Sequence, residues 1–116
     1  MNYTFYKKEV DTTKRVYFLV KAKTDFSVLE NIEFTIQNKH LIKIIINGIK
    51  STLDNVNKYE WANEVIHIAA FKEGVFLFDI LARIGGMIGN GPDLQLTHLE
   101  FIKFMEDFKK FIEENS

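Results

Sequence analysis

The stretch EVIHIAAFKEGVFLFDIL, residues 64–81, decides the fold. It contains two runs rich in β-branched and aromatic residues, 64–71 and 75–81, joined by Lys72-Glu73-Gly74. Two such runs with a short glycine-containing connection are typical of a β-hairpin. We therefore expect two neighbouring antiparallel strands. No catalytic, metal-binding or nucleotide-binding motif lies on them.

A C-terminal helix is predicted to follow from Thr97. Thr97 and Glu100 have the spacing of a capping box, in which each side chain accepts from the backbone amide of the other. The residues that then recur at helical spacing are Phe101, Phe104, Met105, Phe108, Phe111 and Ile112. Glu106 and Lys110, on the opposite side, have the favourable order for an i,i+4 ion pair. We expect the apolar stripe to pack in the core.

The N-terminal part predicts further strands. Residues 3–8 and 15–23 are rich in aromatic and β-branched residues, and the second run is apolar on both sides, which favours an interior strand. Residues 25–38 are ambiguous, because Ser27 and Glu30 fit a helical capping box while the alternation of the following residues fits a strand. We favour a strand at 32–37.

A first helix is expected from residue 39 to about residue 55. Its apolar positions recur every three or four residues, and they are Ile42, Ile45, Ile46, Ile49, Leu53 and Val56. Burying each isoleucine gains about 1.5–3 kcal/mol. That gain exceeds the roughly 0.4 kcal/mol by which each weakens helix propensity. The rival is a hairpin turning at Asn47-Gly48, a common hairpin dipeptide.

These elements predict one α+β domain over residues 1–116. We expect a mainly antiparallel sheet of about five strands with two helices, in the order β-β-β-α-β-β-α. The composition agrees, because 47% of the residues are hydrophobic and eleven are Phe, enough for a sizeable core. We see no internal repeat or second domain.

Charge and cysteine content narrow the possible functions. The net charge of −1 does not favour nucleic acid or an anionic membrane as a partner. Residues 1–23 carry six basic and two acidic side chains, whereas residues 24–116 carry nine basic and fourteen acidic ones. The absence of cysteine excludes disulfides and thiolate chemistry. With no apolar stretch of spanning length and no apparent secretory signal, we expect a cytoplasmic protein.

Candidate chemical sites are weak. The four glycines of residues 85–91 match neither the P-loop nor the dinucleotide-binding pattern. His40, His67 and His98 lie on different predicted elements without ligand-like spacing, so we expect no metal, no cofactor and no catalytic residue. A small-molecule-binding or enzymatic domain that uses the loop 85–93 is the alternative.

Asp79 is the one carboxylate inside a strongly apolar strand. A buried, unpaired carboxylate is costly, so we expect an ion pair with Arg83. An acidic recognition site, or a pair with Glu64 of the kind found in glycosidases, are the other possibilities.

Three segments together resemble a known group of proteins. They are Trp61-Ala62-Asn63-Glu64-Val65, the strand from Val75 to Asp79, and the helix that carries Phe101, Phe104, Phe108, Phe111 and Ile112. Over residues 59–114 the chain resembles bacterial polymorphic-toxin immunity proteins, including those of contact-dependent growth inhibition systems. The resemblance implies a non-enzymatic cytoplasmic protein that binds and neutralises one cognate toxin domain, often a nuclease.

A partner-binding surface is expected around the aromatic residues that precede the predicted hairpin. Large aromatic side chains anchor protein interfaces, and a glycine-rich loop can adapt its backbone to a partner. The predicted residues are Tyr59, Glu60, Trp61, Glu64, Asp79, Arg83, Asn90 and Asp93. The alternative for Tyr59 and Trp61 is that they close the core at the sheet edge.

Overall fold

The structure is a computed structural model, and it describes residues 3–10, 15–22, 28–30, 32, 38–54, 56–80 and 91–115. Within these ranges the chain forms two helices and six strands in two antiparallel sheets, which confirms the predicted α+β class. The elements are β1 (Tyr3–Val10), β2 (Arg15–Ala22), α1 (Lys39–Lys50), β3 (Tyr59–Ala62), β4 (Ile66–Phe71), β5 (Gly74–Asp79), β6 (Leu94–Leu96) and α2 (His98–Asn115).

The C-terminal helix α2 begins at the predicted capping box. The backbone N–H of Glu100 donates to Thr97 Oγ1 over 3.1 Å, and the N–H of Thr97 donates to Glu100 Oε1 over 2.9 Å. Two amides that the first turn leaves without intrahelical partners are thereby satisfied. The predicted stripe of α2 is buried except for Phe111, which is half-buried.

The strands β1 and β2 form a two-stranded sheet that packs on α2. Their register runs from Tyr3 opposite Ala22 to Val10 opposite Arg15. The Phe5 ring stacks on Phe108 with 5.4 Å between centroids. Within the described residues β2 pairs only with β1, so an interior position for β2 stays a prediction.

The predicted strand at 32–37 lies almost wholly outside the described residues. Residues 28–30 and Ile32 have 3₁₀ conformation, and Ile32 is fully buried. Glu30 accepts a hydrogen bond from the N–H of Ala22 over 3.0 Å. The carboxylate of Glu30 therefore ties this segment to the end of β2.

The first helix, α1, confirms the helical prediction, and the rival hairpin at Asn47-Gly48 is wrong. Asn38 caps the helix, since its Oδ1 accepts from the N–H of His40 over 2.7 Å. The four isoleucines of the stripe are buried. The predicted end near residue 55 is also wrong, because the α-helix ends at Lys50.

A 3₁₀ turn, Ser51–Asp54, follows α1 and explains two errors in the predicted stripe. Leu53 and Val56 were predicted to continue the apolar stripe of α1, but they are 46% and 80% exposed. A 3₁₀ turn has three residues per turn, so it rotates later side chains off the face that α1 buries. Thr52 is buried instead, and its hydroxyl donates to the carbonyl of Ile49 over 2.7 Å.

The second sheet has four strands in the order β3-β4-β5-β6. The predicted central hairpin is confirmed as β4 and β5, although each strand is shorter than expected. Gly74 opens β5 with a φ of 133°, and a Cβ there would lie 2.7 Å from the carbonyl oxygen of Leu96. A residue without a side chain is therefore required at this position. The short strands β3 and β6 were not predicted.

Side chains alternate between two faces of this sheet. The inner face contributes to the core with the helices, through Ile66, Ile68, Ala70, Val75, Leu77 and Leu96. The register places the intervening side chains on the other side, which we call the outer face: Glu60, Ala62, His67, Ala69, Phe71, Phe76, Phe78 and Gln95. Both faces carry large apolar residues.

Helix α1 meets β3 at Gly48. A Cβ at this position would lie 2.3 Å from the Tyr59 ring, well inside van der Waals contact. The Tyr59 side chain is half-buried against the core. The tight approach of the ring to the helix backbone therefore depends on glycine.

We predict that Gly48→Ala destabilises the fold by about 1–2 kcal/mol. Overpacking costs roughly 1–3 kcal/mol, and the better helix propensity of alanine offsets up to about 1 kcal/mol of it. In a Tyr59→Ala background the clash is gone, so Gly48→Ala should become neutral or stabilising. Urea unfolding of the four proteins in this double-mutant cycle measures the coupling. Equal effects in both backgrounds would contradict the contact.

The start of β1 is attached to α2 by a hydrogen bond. The hydroxyl of Tyr3 donates to Asp107 Oδ2, which also accepts from Lys103 Nζ over 2.8 Å. Burial, with the bond to Asp107 as a second cause, raises the pKa of Tyr3. Burial alone would raise the pKa of Asp107, but the bonds from Lys103 and Tyr3 outweigh it and hold that pKa below its ordinary value.

The lowered pKa of Asp107 predicts an acid-sensitive contribution to stability. The stabilisation is complete above the unfolded-state pKa of about 3.9. It is lost as pH falls through the lower folded-state pKa. We expect Asp107→Asn to lower the unfolding free energy by roughly 1 kcal/mol at pH 7, with a smaller difference near pH 3. Urea titrations at both values check this, and a difference independent of pH would count against it.

Candidate functional site

The outer face of the four-stranded sheet carries two stacked aromatic pairs. The rings of Phe71 and Phe76 are 4.9 Å apart with an interplanar angle of 14°. The rings of His67 and Phe78 are 5.3 Å apart at 30°. These four side chains are half-buried, so each keeps part of its surface accessible to solvent. We call them the aromatic patch.

Polar groups fix and surround the aromatic patch. The carbonyl oxygen of Phe71 lies 2.8 Å from Nε2 of His98, which ties the end of β4 to the start of α2. Glu60 Oε1 lies 3.9 Å from Nε2 of His67, and 70% of the Glu60 side chain is exposed. A shallow depression beside the patch is lined by Lys58, Glu60 and Phe71. An apolar centre with a polar rim is the usual anatomy of a protein-binding surface.

The structure divides the predicted surface on β3. Tyr59 and Trp61 lie opposite Ala70 and Ile68 on the inner face, and both are partly buried against the core. Glu60 lies between them in sequence and is exposed on the outer face. The two aromatic side chains therefore close the core at the sheet edge, which was the alternative expectation, and Glu60 alone of the three borders the aromatic patch.

One end of the same sheet brings three predicted carboxylates together. Glu64 lies in the turn between β3 and β4, next to Val65, whose carbonyl accepts from the N–H of Ile80 over 3.0 Å. Asp79 ends β5, and its N–H donates to Asp93 Oδ2 over 2.6 Å. The strand ends thus place Glu64, Asp79 and Asp93 on one rim of the sheet.

Two predicted residues, Arg83 and Asn90, lie outside the described residues. The expected Asp79–Arg83 ion pair and the glycine-rich loop of the alternative hypothesis therefore stay predictions. Among the side chains that the structure describes, no group of three or more His, Asp or Glu is arranged to hold a metal ion.

The aromatic patch was not predicted from the sequence, although the alternation of residues in β4 and β5 contains a signal for it. Residues Phe71, Phe76 and Phe78 alternate with the buried positions of β4 and β5. In a strand with one solvated face, alternate positions are polar. Aromatic residues at those positions are therefore the signal of a second apolar face.

A groove between α1 and α2 is polar and bridged by charges. Lys50 Nζ lies 3.3 Å from Glu106 Oε1 across the two helices. The predicted Glu106–Lys110 pair is wrong, because Lys110 approaches Glu114 instead, at 3.9 Å. These partners are more than half exposed, where ion pairs contribute about 0–1 kcal/mol. The groove has the character of a solvated surface.

Comparison with protein-family models, with curated proteins and with solved structures finds no match. In the described part of the chain, neither helix combines the length and apolar character needed to cross a membrane.

The turn that presents Glu64 depends on Asn63. Its Oδ1 accepts from the N–H groups of Val65 and Ile66, each over 2.8 Å. Its Nδ2 is buried without a hydrogen-bond partner. The side chain of Asn63 thus supplies an acceptor that the turn needs, and its buried Nδ2 group makes no compensating hydrogen bond.

We predict different losses of stability for two substitutions of Asn63. Asn63→Ala removes the acceptor for two amides and should cost about 1–2 kcal/mol of unfolding free energy. Asn63→Asp keeps the acceptor but puts a carboxylate oxygen in the buried position of the donor, so it should cost less than Asn63→Ala without being neutral. Chemical denaturation at pH 7 compares them. If aspartate is as damaging as alanine, the turn does not depend on this acceptor.

Proposed function

We propose that this protein is an immunity protein that binds a cognate toxin domain and neutralises it, without catalysis of its own. The aromatic patch is the observation that supports this proposal most strongly. It offers aromatic side chains on rigid strands rather than on loops, so a partner that covers them loses little side-chain entropy. The resemblance of residues 59–114 to immunity proteins points to the same class.

The charge around the patch suggests the kind of toxin. Residues 54–100 contain seven acidic and three basic residues, and they include the whole four-stranded sheet. Glu60 borders the patch, while Glu64, Asp79 and Asp93 lie on the rim at one end of the sheet. Negative groups around an apolar centre favour a basic partner. A nuclease domain, whose substrate-binding cleft must attract phosphates, has that character.

The protein would inhibit the toxin by occupying its substrate-binding cleft. The acidic sheet would cover the basic cleft of the toxin, and the rings of the patch would anchor the complex. Such a protein would act where the toxin acts, in the cytoplasm. Electrostatic attraction would speed the encounter and make its rate sensitive to salt.

The first test is co-purification with a candidate toxin domain. A suitable candidate would be the variable C-terminal domain of any large secreted protein that proves to be encoded beside this gene. We expect a complex that survives gel filtration, and co-expression should restore growth to cells that produce the toxin domain. No binding at micromolar concentrations would contradict the proposal.

The second test locates the interface on the aromatic patch. Phe76→Ala should weaken toxin binding by about 2 kcal/mol, which is roughly 30-fold. Tyr6→Ala is the matched control, because Tyr6 is an aromatic residue that is 45% exposed on β1, in the other sheet. Calorimetry measures affinity, and thermal unfolding verifies both folds. A loss of affinity caused by Tyr6→Ala but not by Phe76→Ala would place the interface on the β1–β2 sheet instead.

A further inference from the structure

Strand β3 is one edge of the four-stranded sheet. It pairs with β4 on one side, and no strand of the described chain pairs with it on the other. Its sequence, YEWA, has no proline and no lysine, and its register with β4 is unbroken from Tyr59 to Ala62. Edge strands are commonly protected against pairing with another chain by a proline, a lysine or a break in the register, and β3 has none of these.

The hydrogen-bond pattern shows which backbone groups β3 presents. The N–H of Asn63 donates to the carbonyl of Ile66 over 3.0 Å, so these two residues form a hydrogen-bonded pair. In an antiparallel ladder, bonded and non-bonded pairs alternate. Tyr59 and Trp61 therefore bond to β4, while the N–H and C=O groups of Glu60 and Ala62 point away from the sheet. The side chains of Glu60 and Ala62 are exposed, which leaves that edge accessible.

We infer that the partner of this protein adds a strand to β3, hydrogen-bonding to the backbone of Glu60 and Ala62. This inference rests on the proposed function, because the added strand belongs to the toxin domain. Main-chain bonds supply affinity in this mode, and alternate side chains supply specificity.

The side chains beside β3 define the strand that fits. On the outer face Glu60 would lie against a lysine or arginine of the partner, and the small side chain of Ala62 leaves room for its long stem. On the inner face Tyr59 and Trp61 would lie against apolar side chains. The partner strand should therefore alternate basic and apolar residues.

A second copy of this chain fits the edge less well. Antiparallel pairing of β3 with itself brings the Glu60 carboxylates of both copies to neighbouring positions, where like charges destabilise a sheet. Moreover, an edge of four residues is short for a stable dimer. A larger partner would cover the aromatic patch at the same time.

Amide hydrogen exchange of the wild-type protein tests the inference. In the free chain the amides of Glu60 and Ala62 should exchange rapidly, while that of Trp61, bonded to β4, is protected. In the complex with the purified toxin domain, we expect the exchange of Glu60 and Ala62 to slow at least tenfold. Trp61 serves as the internal control, since its ladder bond exists in both states.

Two variants separate the contribution of the Glu60 backbone N–H to binding from that of the Glu60 side chain. Glu60→Pro removes the outward N–H without removing a bond to β4, and it should weaken toxin binding at least tenfold more than Glu60→Ala. Circular dichroism verifies the fold of each variant. Should the proline variant not fold, the exchange measurement on the wild-type protein decides.

Each outcome has a distinct meaning. A complex that leaves the amides of Glu60 and Ala62 unprotected overturns the inference but leaves the proposed function standing. Protection that rises with protein concentration in the absence of toxin assigns the edge to a second copy and also overturns it. Failure of the toxin domain to bind contradicts the proposed function and, with it, this inference.

Discussion

The phenylalanine stripe of α2 is the packing interaction on which the rest of the structure depends. Phe104 and Phe108 are fully buried, and both contact Phe5 of the first sheet. The same helix contacts β5 of the second sheet and lies beside α1. Burying each phenylalanine contributes about 1.5–3 kcal/mol. The β1–β2 sheet is therefore stabilised in part by covering this stripe.

The sequence predicted those elements whose signals are local. The capping box at Thr97, the stripe of α2 and the hairpin of β4 and β5 are each specified within a few turns or strand residues. The C-terminal end of α1 and the strands β3 and β6 were not predictable in this way. Strands of three and four residues are too short to show periodicity, and a 3₁₀ turn after Lys50 changes the helical period. The separation of the strands into two sheets depends on tertiary packing, which no local sequence pattern specifies.

The candidate site was predicted in part for the same reason. Glu64 and Asp79 lie on one rim because the hairpin of β4 and β5, which was visible in the sequence, brings the ends of its strands together. Asp93 is placed on that rim by the pairing of β5 with β6, which was not visible. The faces of β3 depend on where β3 begins, and that was not visible. Tyr59 and Trp61 consequently pack against the edge of the core, while rings of β4 and β5 form the aromatic patch. Alternation specifies two faces but not which of them meets the helices.

The two edges of the four-stranded sheet differ in a way that connects stability with recognition. Strand β6 has three residues and is followed almost at once by α2, so little of its edge can pair with another chain. Strand β3 is also short, but no strand or helix within the described residues follows it so closely, and the charge of Glu60 adds to its short length in opposing pairing with a second copy. A carboxylate at that position discourages an acidic strand and attracts a basic one. The same charge can therefore disfavour self-association of the free protein and favour a basic partner strand, so the edge of β3 can remain open for recognition.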